Sequence, residues 1–364
     1  MHVAILFDAE RLMHERAMLN RLCIALIGEG VQVTRIVPDE VADEAHEDDA
    51  VALAGRAGYP GRAVWWAHGD RVRKLADRFG KAPPDVLLAL GEATWRLARD
   101  LAAALQRPLI VETWSWRTAR RLSARLAPPA GLTVITPADA LAQRIRRRLK
   151  SIPVEVVPWG VPFPDEPTSA PARRGDSLAL AVIGPGDSTR PYRAFVPALA
   201  RFLRETTDAL ATCELDGRRS HDVWRLLRDQ RLLERVSIIS RASAHRTLLT
   251  QCDAVIAPEA TGMVRSVFLE ALANGVPVIA AEDNCLDFLK GGETAMVIAK
   301  PSQETWLESL RRLVTQPTVI QSLTSNGRRL AEQRHRVSRQ AEQLAGLLTR
   351  SITGDAIPFR REPA

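Results

Sequence analysis

One acidic side chain, Glu270, stands within a helical pattern that is otherwise apolar. The surrounding segment "APEATGMVRSVFLEALANGVPVIAAEDN", residues 257–284, has the order strand, loop, helix, strand, and the helix opens after the irregular loop "PEATGM". A carboxylate accepts hydrogen bonds, and it is rarely buried unless it has a partner. Glu270 is therefore a candidate binding residue if its helix is buried, and a solvated surface residue if the helix faces water.

Basic side chains are concentrated in a second segment, between Trp114 and Lys150. It holds nine Arg and Lys residues and a single acid, Asp139. The nine are Arg117, Arg120, Arg121, Arg125, Arg144, Arg146, Arg147, Arg148 and Lys150. Such a concentration attracts nucleic acid, anionic lipid or phosphorylated ligands. Nucleic acid is disfavoured as a partner, because no helix-turn-helix, RNA-recognition or OB pattern accompanies the charge. An Arg-rich face that meets only water is the alternative.

Cysteine and histidine spacing indicates no metal or redox site. There is no HExxH motif and no Cys/His cluster, so we expect no catalytic metal and no metal-containing cofactor. His68 and His245 stand near predicted strand ends or loops, and we expect a structural or surface role for both. The four cysteines are scattered, which is typical of a reducing cytoplasm: Cys23, Cys213, Cys252 and Cys285.

Length and composition are those of an ordinary globular chain with two domains. The chain has 364 residues, of which 46% are hydrophobic and 26% charged, and a domain commonly holds about 150 residues. No apolar run approaches the about 20 residues that span a bilayer. The start, "MHVAILFDAER", predicts a first strand rather than a signal peptide, because charge follows the short apolar run at once. We expect a cytoplasmic protein.

Strand and helix patterns alternate through both halves of the chain. In the first half the predicted strands are "HVAILFD", "VQVTRIVP", "AVWWAH", "DVLLAL", "PLIVET" and "LTVIT". In the second half they are "LALAVIG", "ATCELDG", "RVSIIS", "AVIAPE" and "PVIAAE". Strands that are apolar throughout and alternate with helices predict parallel sheets covered on both faces, an α/β fold. Ligands of such sheets bind beyond the carboxyl ends of the strands.

A proline-rich stretch separates the two halves and predicts the domain boundary. We expect a first Rossmann-like domain over residues 1–165, a linker over 166–176 and a second Rossmann-like domain over 177–335. The two would face a cleft. Residues 336–364 form a C-terminal helix and a tail.

Two segments of the sequence resemble a known protein family. "VITPADALAQRI … VEVVPWGVP" and "LLTQCDAVIAPEATGMVRSVFLEALANGVPVIAAEDNCLDFLKGGETAMVI" resemble the group-1 (family 4) retaining glycosyltransferases, which have the GT-B architecture. The resemblance implies metal-independent, retaining transfer of a sugar from a nucleotide-diphospho-sugar to a hydroxyl acceptor, a glycan or a lipid-linked molecule, without a cofactor. It also implies that residues 336–364 cross back to the first domain. The alternative is a catalytically silent GT-B protein that binds a nucleotide or glycan or acts as a scaffold.

The resemblance also implies a donor site. The Glu at the position of Glu270 holds the nucleotide ribose in this family, and Arg190 matches a cation for the diphosphate. A helix that begins near Met263 would offer its N-terminus to the phosphates, which fits the general affinity of helix N-termini for anions. The donor-binding loop is Gly262, Met263, Val264, Arg265 and Ser266. We expect Glu270 and Arg190 to line one pocket.

Several positions depart from the family pattern. Gly262 stands where the family has a sugar-holding Glu, and Pro185 where it has a diphosphate-binding Arg. Arg265 replaces a small loop residue, and it is either a substitute cation for the phosphate or a residue of the site's rim. In the first domain, the family's histidine positions are occupied by Leu88, Leu90 and Trp114.

The segment "ETWSWRTARRLSARLAPP" suggests a membrane-facing helix. On a helix Arg117, Arg120, Arg121 and Arg125 share one stripe, and Trp114 and Trp116 are residues that suit the headgroup boundary. We therefore expect peripheral binding to an anionic membrane surface at the inner face. The alternative is that the two tryptophans pack inside the domain.

Overall fold

A computed structural model describes residues 1–42, 54–60, 67–80, 82–125, 131–164, 177–239 and 245–354. The predicted linker 166–176 and most of the predicted strand "AVWWAH" lie outside these residues. The chain divides into two compact units, one formed by Met1–Gly160 with Val337–Ala364 and the other by Val161–Arg336. Among the described helices, none combines the length and the apolar character that crossing a bilayer requires.

The first unit is built on a parallel sheet of seven strands in the order β3-β2-β1-β4-β5-β6-β7. Its central strands are buried along almost their whole length, as expected when helices cover both faces. The strands are β1 (His2–Phe7), β2 (Gln32–Pro38), β3 (Gly55–Tyr59), β4 (Val86–Leu90), β5 (Leu109–Glu112), β6 (Leu132–Thr136) and β7 (Val154–Val156). The helices, numbered in chain order, are α1 (Ala9–Gly28), α2 (Asp39–Ala42), α3 (His68–Phe79), α4 (Trp95–Leu105), α5 (Trp116–Arg125), α6 (Asp139–Arg148) and, from the end of the chain, α13 (Val337–Thr353).

The second unit is built on a parallel sheet of six strands in the order β10-β9-β8-β11-β12-β13. The strands are β8 (Leu178–Val182), β9 (Ala209–Glu214), β10 (Val236–Ile239), β11 (Ala254–Ala257), β12 (Val278–Ala281) and β13 (Met296–Ile298). The helices are α7 (Thr189–Glu205), α8 (Ser220–Asp229), α9 (His245–Gln251), α10 (Ser266–Ala273), α11 (Gln303–Thr315) and α12 (Pro317–Arg334). The predicted α/β class with two doubly wound parallel sheets is confirmed.

The strand order of the second sheet determines where a ligand can bind. From β8 the chain winds outward to β9 and β10, and from β11 it winds the other way to β12 and β13. β8 and β11 are neighbours, with Val255 opposite Ala181. The loops that follow these two strands therefore diverge, and they leave a crevice at the carboxyl edge of the sheet. The first sheet has the same arrangement between β1 and β4.

Some short elements differ from the sequence prediction. β3, β7 and β13 were not predicted, because "GRAGY" is small and glycine-rich and "VEV" and "MVI" are only three residues long. His68, expected at the end of a strand, instead opens α3.

Candidate functional site

Glu270 is a buried residue of a buried helix. All eight residues of α10 are buried, and Glu270 is 6% exposed. The Ser266 hydroxyl lies 3.5 Å from Glu270 Oε1 and donates to it. The surface alternative for Glu270 is therefore wrong. Burying a charge costs free energy that only polar partners offset, and the binding role of Glu270 stays a prediction.

The helix begins later than the sequence indicated. α10 starts at Ser266 and not near Met263, because Arg265 at its N-cap has extended backbone angles (φ −126°, ψ 128°). Arg265 makes no capping hydrogen bond with its side chain. Met263 and Val264 therefore belong to the loop, where Met263 is half-buried and Val264 is buried.

A carboxylate from the neighbouring strand already contacts this loop. Gly262 has φ +67°, a conformation that favours glycine. Its N–H donates to Asp283 Oδ2 at 2.7 Å, while Asp283 Oδ1 accepts from the N–H of Cys285 at 2.9 Å. Burial raises the pKa of the Asp283 carboxyl, and these two N–H groups act in the opposite direction. The loop that lacks a Glu at position 262 thus still has an acid beside it.

Arg265 turns into the protein. It is 3% exposed, and its guanidinium lies 3.5 Å from Glu214 Oε1 at the carboxyl end of β9. The alternative that it sits on the rim of the site is wrong. The positive charge of Arg265 is balanced by the Glu214 carboxylate, which is itself 1% exposed. To bind a phosphate, Arg265 would therefore have to share this carboxylate or move away from it.

Arg190 is exposed in the first turn of α7. Its backbone N–H donates to the Ser188 hydroxyl that caps the helix, at 3.3 Å. Within the described part of the chain, its guanidinium forms no hydrogen bond or ion pair. An exposed cation at the carboxyl edge of the sheet is accessible to an anionic ligand.

Arg190 and Glu270 belong to helices on opposite faces of the sheet. α7 packs against α8 and α11, whereas α10 packs against α9 and α12. The two helices begin at the same carboxyl edge, on either side of the crevice between β8 and β11. The two side chains can therefore share a pocket only at that edge, and this stays a prediction.

A further carboxylate, Glu259, spans the crevice itself. It follows β11, and its two oxygens accept hydrogen bonds from the backbone N–H groups of Gly186, Asp187 and Ser188 at 3.0, 3.2 and 2.9 Å. Burial raises the pKa of the Glu259 carboxyl, although the three N–H groups lower it. Sequence reasoning missed this residue. The available signal was its place, directly after a strand at the switch of strand order.

In the first unit, His68 has a structural role, and the residues at the family's histidine positions lie in the core. His68 Nε2 lies 2.7 Å from Asp100 Oδ2, a contact that ties α3 to α4. Leu88 and Leu90 are buried in β4, and Trp114 is 3% exposed. The side chain of the other expected histidine, His245, lies outside the described residues.

Trp114 belongs to a buried charged cluster, the Arg11 cluster, formed by Arg11, Glu112, Trp114 and Trp159. Arg11 Nε donates to Glu112 Oε2 at 2.9 Å, and Trp159 Nε1 donates to Glu112 Oε1 at 2.8 Å. The guanidinium lies 4.0 Å from the centre of the Trp159 ring and 5.2 Å from that of Trp114. The expectation that Trp114 faces a membrane is wrong, because its ring is part of this cluster.

Asp8 occupies the carboxyl end of β1, at the switch of strand order in the first sheet. It is 4% exposed, and it accepts hydrogen bonds from the backbone N–H groups of Arg11 at 2.6 Å and Ala93 at 3.2 Å. It also caps α1. Burial raises the pKa of Asp8 to about 6, outweighing these two bonds. Because it bonds to both of these N–H groups, Asp8 links the start of α1 to the loop after β4.

The basic stripe of α5 is partly neutralised. Arg121 donates to Glu92 at 2.9 Å, and Arg117 lies 3.9 Å from both Glu92 and Glu10. Trp116 is half-buried under the Arg144 guanidinium, 5.1 Å from the ring centre. Arg120 remains exposed, and the side chain of Arg125 lies outside the described residues.

Metal ligands are not grouped in the part of the chain that the structure describes: no three His, Cys, Asp or Glu side chains there could hold an ion together.

Comparisons with known proteins agree with this architecture. The family of glycosyl transferases group 1 matches residues 178–316, within the second unit. A sequence search of curated proteins returns no match.

Solved structures match both units together. A glycosyltransferase from Rickettsia africae has a TM-score of 0.73 at 12% identity, covering 98% of this chain and 99% of that one. Anabaena HepE in complex with UDP-glucose has a TM-score of 0.72 at 15% identity, with 96% and 99% covered. Sucrose-phosphate synthase from Thermosynechococcus elongatus has a TM-score of 0.73 at 14% identity, with 98% and 100% covered. Identities this low indicate the fold alone. The second unit is therefore similar to the glycosyl transferases group 1 over residues 178–316, and the chain has the GT-B fold of these solved structures.

Proposed function

We propose that the protein transfers a sugar from a nucleotide-diphospho-sugar to a hydroxyl acceptor, with retention of configuration and without a metal ion. The observation that carries the proposal is Glu270, a carboxylate kept at 6% exposure inside α10 at the carboxyl edge of the second sheet. Its two oxygens suit the paired hydroxyls of a ribose, since a carboxylate accepts but does not donate. The UDP-glucose bound in the structure of Anabaena HepE supports this class of donor.

The leaving diphosphate would be stabilised by fixed donors and one cation. In this proposal the N-terminus of α10 and the loop Gly262–Ser266 offer backbone N–H groups to the phosphates. Arg190 supplies the positive charge, because Arg265 is engaged with Glu214. A single preorganised donor of this kind is worth about 3 kcal/mol of transition-state stabilisation.

Thermal-shift measurements with UDP-, GDP- and ADP-sugars test the donor assignment. At least one of them should raise the melting temperature of the wild-type protein, and Glu270→Ala should abolish that rise. Glu234→Ala is the matched control, because Glu234 is an exposed carboxylate of the same unit that precedes β10, at the opposite edge of the sheet. If the shift is unchanged in Glu270→Ala, the ribose role is excluded. Transfer that persists in excess EDTA would support the absence of a metal ion from the reaction. A product with the same anomeric configuration as the donor would support retention.

We also propose that the acceptor is presented at an anionic membrane surface, as a lipid-linked or membrane-proximal molecule. The argument rests on charge. Arg120 is exposed on α5, and Arg147 and Lys150 are exposed on or just after α6, so basic side chains of neighbouring helices meet solvent together. Each basic residue near an anionic surface contributes roughly 1 kcal/mol of binding. Trp114 does not take part, since it is buried.

A further inference from the structure

The crevice between β8 and β11 contains a carboxylate of the protein itself. Glu259 reaches from the loop after β11 to the loop after β8, and it receives three consecutive backbone N–H groups, those of residues 186–188, at 2.9 to 3.2 Å. These groups precede α7, a helix of 17 residues. Consecutive N–H groups at such a point form a concave anion-binding surface.

The loop that supplies these N–H groups is rigidly built. Gly186 has φ +77°. A Cβ atom on Gly217 would stand 2.6 Å from the Pro185 carbonyl oxygen, so the loop after β9 packs directly on it. The Gly217 N–H donates to the same oxygen at 2.6 Å, and the N–H of Arg219 donates to the Gly186 carbonyl at 2.9 Å. The three N–H groups are thus held in place for whichever anion occupies them.

Anchoring of the loop does not by itself explain why residue 259 is a charged acid. Glu259 is half-buried, and it stands beside Asp187, whose negative charge opposes its own. A neutral Gln could bond N–H groups of this loop through its amide oxygen without that repulsion. The neighbouring loop shows the same arrangement, with Asp283 on the N–H of Gly262. At two points along this edge, backbone N–H groups that suit a phosphate donate instead to a carboxylate of the protein.

We propose that Glu259 lowers the affinity of the donor site for diphosphates, because it occupies backbone N–H groups that a ligand's diphosphate must take over from it. This rests on the proposed function, which places a diphosphate at this edge. Arg190, two residues after the last of the three N–H groups, is the cation such a diphosphate would meet there. Glu259 thereby lowers the affinity of the site for free diphosphates, including the nucleoside diphosphate left after transfer.

Calorimetric titration of the full chain with inorganic pyrophosphate and with UDP tests this. Glu259→Ala should tighten binding of both by about tenfold, the ratio that corresponds to 1.4 kcal/mol. Glu259→Gln should tighten it less, because an amide oxygen still accepts from the N–H groups but carries no charge. Asp187→Asn is the matched control, since it removes one negative charge from the same loop while leaving the Glu259 bonds in place; it should change affinity by less than about twofold. Melting temperatures of the variants report whether each remains folded.

The proposal is overturned if both Glu259 variants bind pyrophosphate no better than wild type, or more weakly, which would make Glu259 an anchor of the loop. An equal gain in Asp187→Asn would also overturn it, because net charge alone would then explain the change. Pyrophosphate has no ribose, so its binding does not depend on Glu270. A gain for pyrophosphate without any binding of UDP would support the role of Glu259 and exclude the nucleotide part of the proposed function.

Discussion

The Arg11 cluster should respond sharply to the loss of either charge. Arg11 is 0% exposed and Glu112 is 5% exposed, so solvent does little to screen them. Glu112→Gln leaves the Arg11 guanidinium buried without a counter-charge, and Arg11→Met leaves the Glu112 carboxylate buried without its cation. Removing one partner of a buried pair costs about 3–5 kcal/mol of the free energy of unfolding.

Two further contacts place Glu112→Gln within this range. Trp159 Nε1 and the guanidinium both donate to Glu112, and a Gln offers only one acceptor oxygen for them. The stacking of Arg11 on Trp159 is retained in that variant and contributes about 1–2 kcal/mol when desolvated. We therefore expect a loss of about 3 kcal/mol for Glu112→Gln and about 4 kcal/mol for Arg11→Met, which also loses the stacking. The double variant Arg11→Met with Glu112→Gln should lose less than the sum of the two single losses, because neither charge is then left buried.

Urea unfolding followed by tryptophan fluorescence measures these values, since Trp114 and Trp159 lie in the cluster. A matched control is Glu205→Gln in the second unit, where Glu205 pairs with Arg311 at 2.6 Å but both side chains are more than a third exposed. That substitution should cost less than about 1 kcal/mol. If Glu112→Gln costs no more than the control, or if the double variant loses the full sum of the single losses, the reasoning about the buried pair is wrong.

Three further predictions concern the first unit. Because the pKa of folded Asp8 is raised to about 6, its contribution to stability is complete at low pH and is lost as the pH rises through about 6; Asp8→Asn should remove about 3 kcal/mol of that pH dependence. Unfolding of both forms between pH 4 and 7 measures this, and parallel curves would contradict it. Gly91→Ala should cost more than about 2 kcal/mol in urea unfolding, because Gly91 has φ +115° and a Cβ there would overlap the Asp8 carboxyl; an unchanged midpoint would count against it. Reversing Arg117, Arg120 and Arg121 to Glu should abolish sedimentation with anionic vesicles at low salt, and unaltered sedimentation, or none by the wild type, would exclude a membrane role for α5.

The fold could be predicted from the sequence because its signals are local. Apolar strands and helical patterns alternate along the chain, and each can be read within a few residues. Even the errors are local: "GRAGY" of β3 lacks the branched and aromatic residues that mark a strand.

The site could be predicted only in part, because its contacts join distant positions. Glu270 stood out as the single charge of an apolar helix. Arg265 lies against Glu214, 51 positions away, and Glu259 bonds to a loop more than 70 positions away. No pattern in the sequence indicates which carboxylate turns toward which donor, since that depends on how adjacent strands direct their loops.

The last helix, α13, has a consequence for how the protein is made. It packs on α1 at the opposite end of the sequence, with Leu344, Leu347 and Leu348 buried. The whole of the second unit, Val161–Arg336, is synthesised before α13 leaves the ribosome. The second unit, being continuous, can fold as soon as it emerges, whereas the first unit must keep part of the surface of α1 uncovered through that interval. Although it comes first in the sequence, the first unit is therefore the last to be completed.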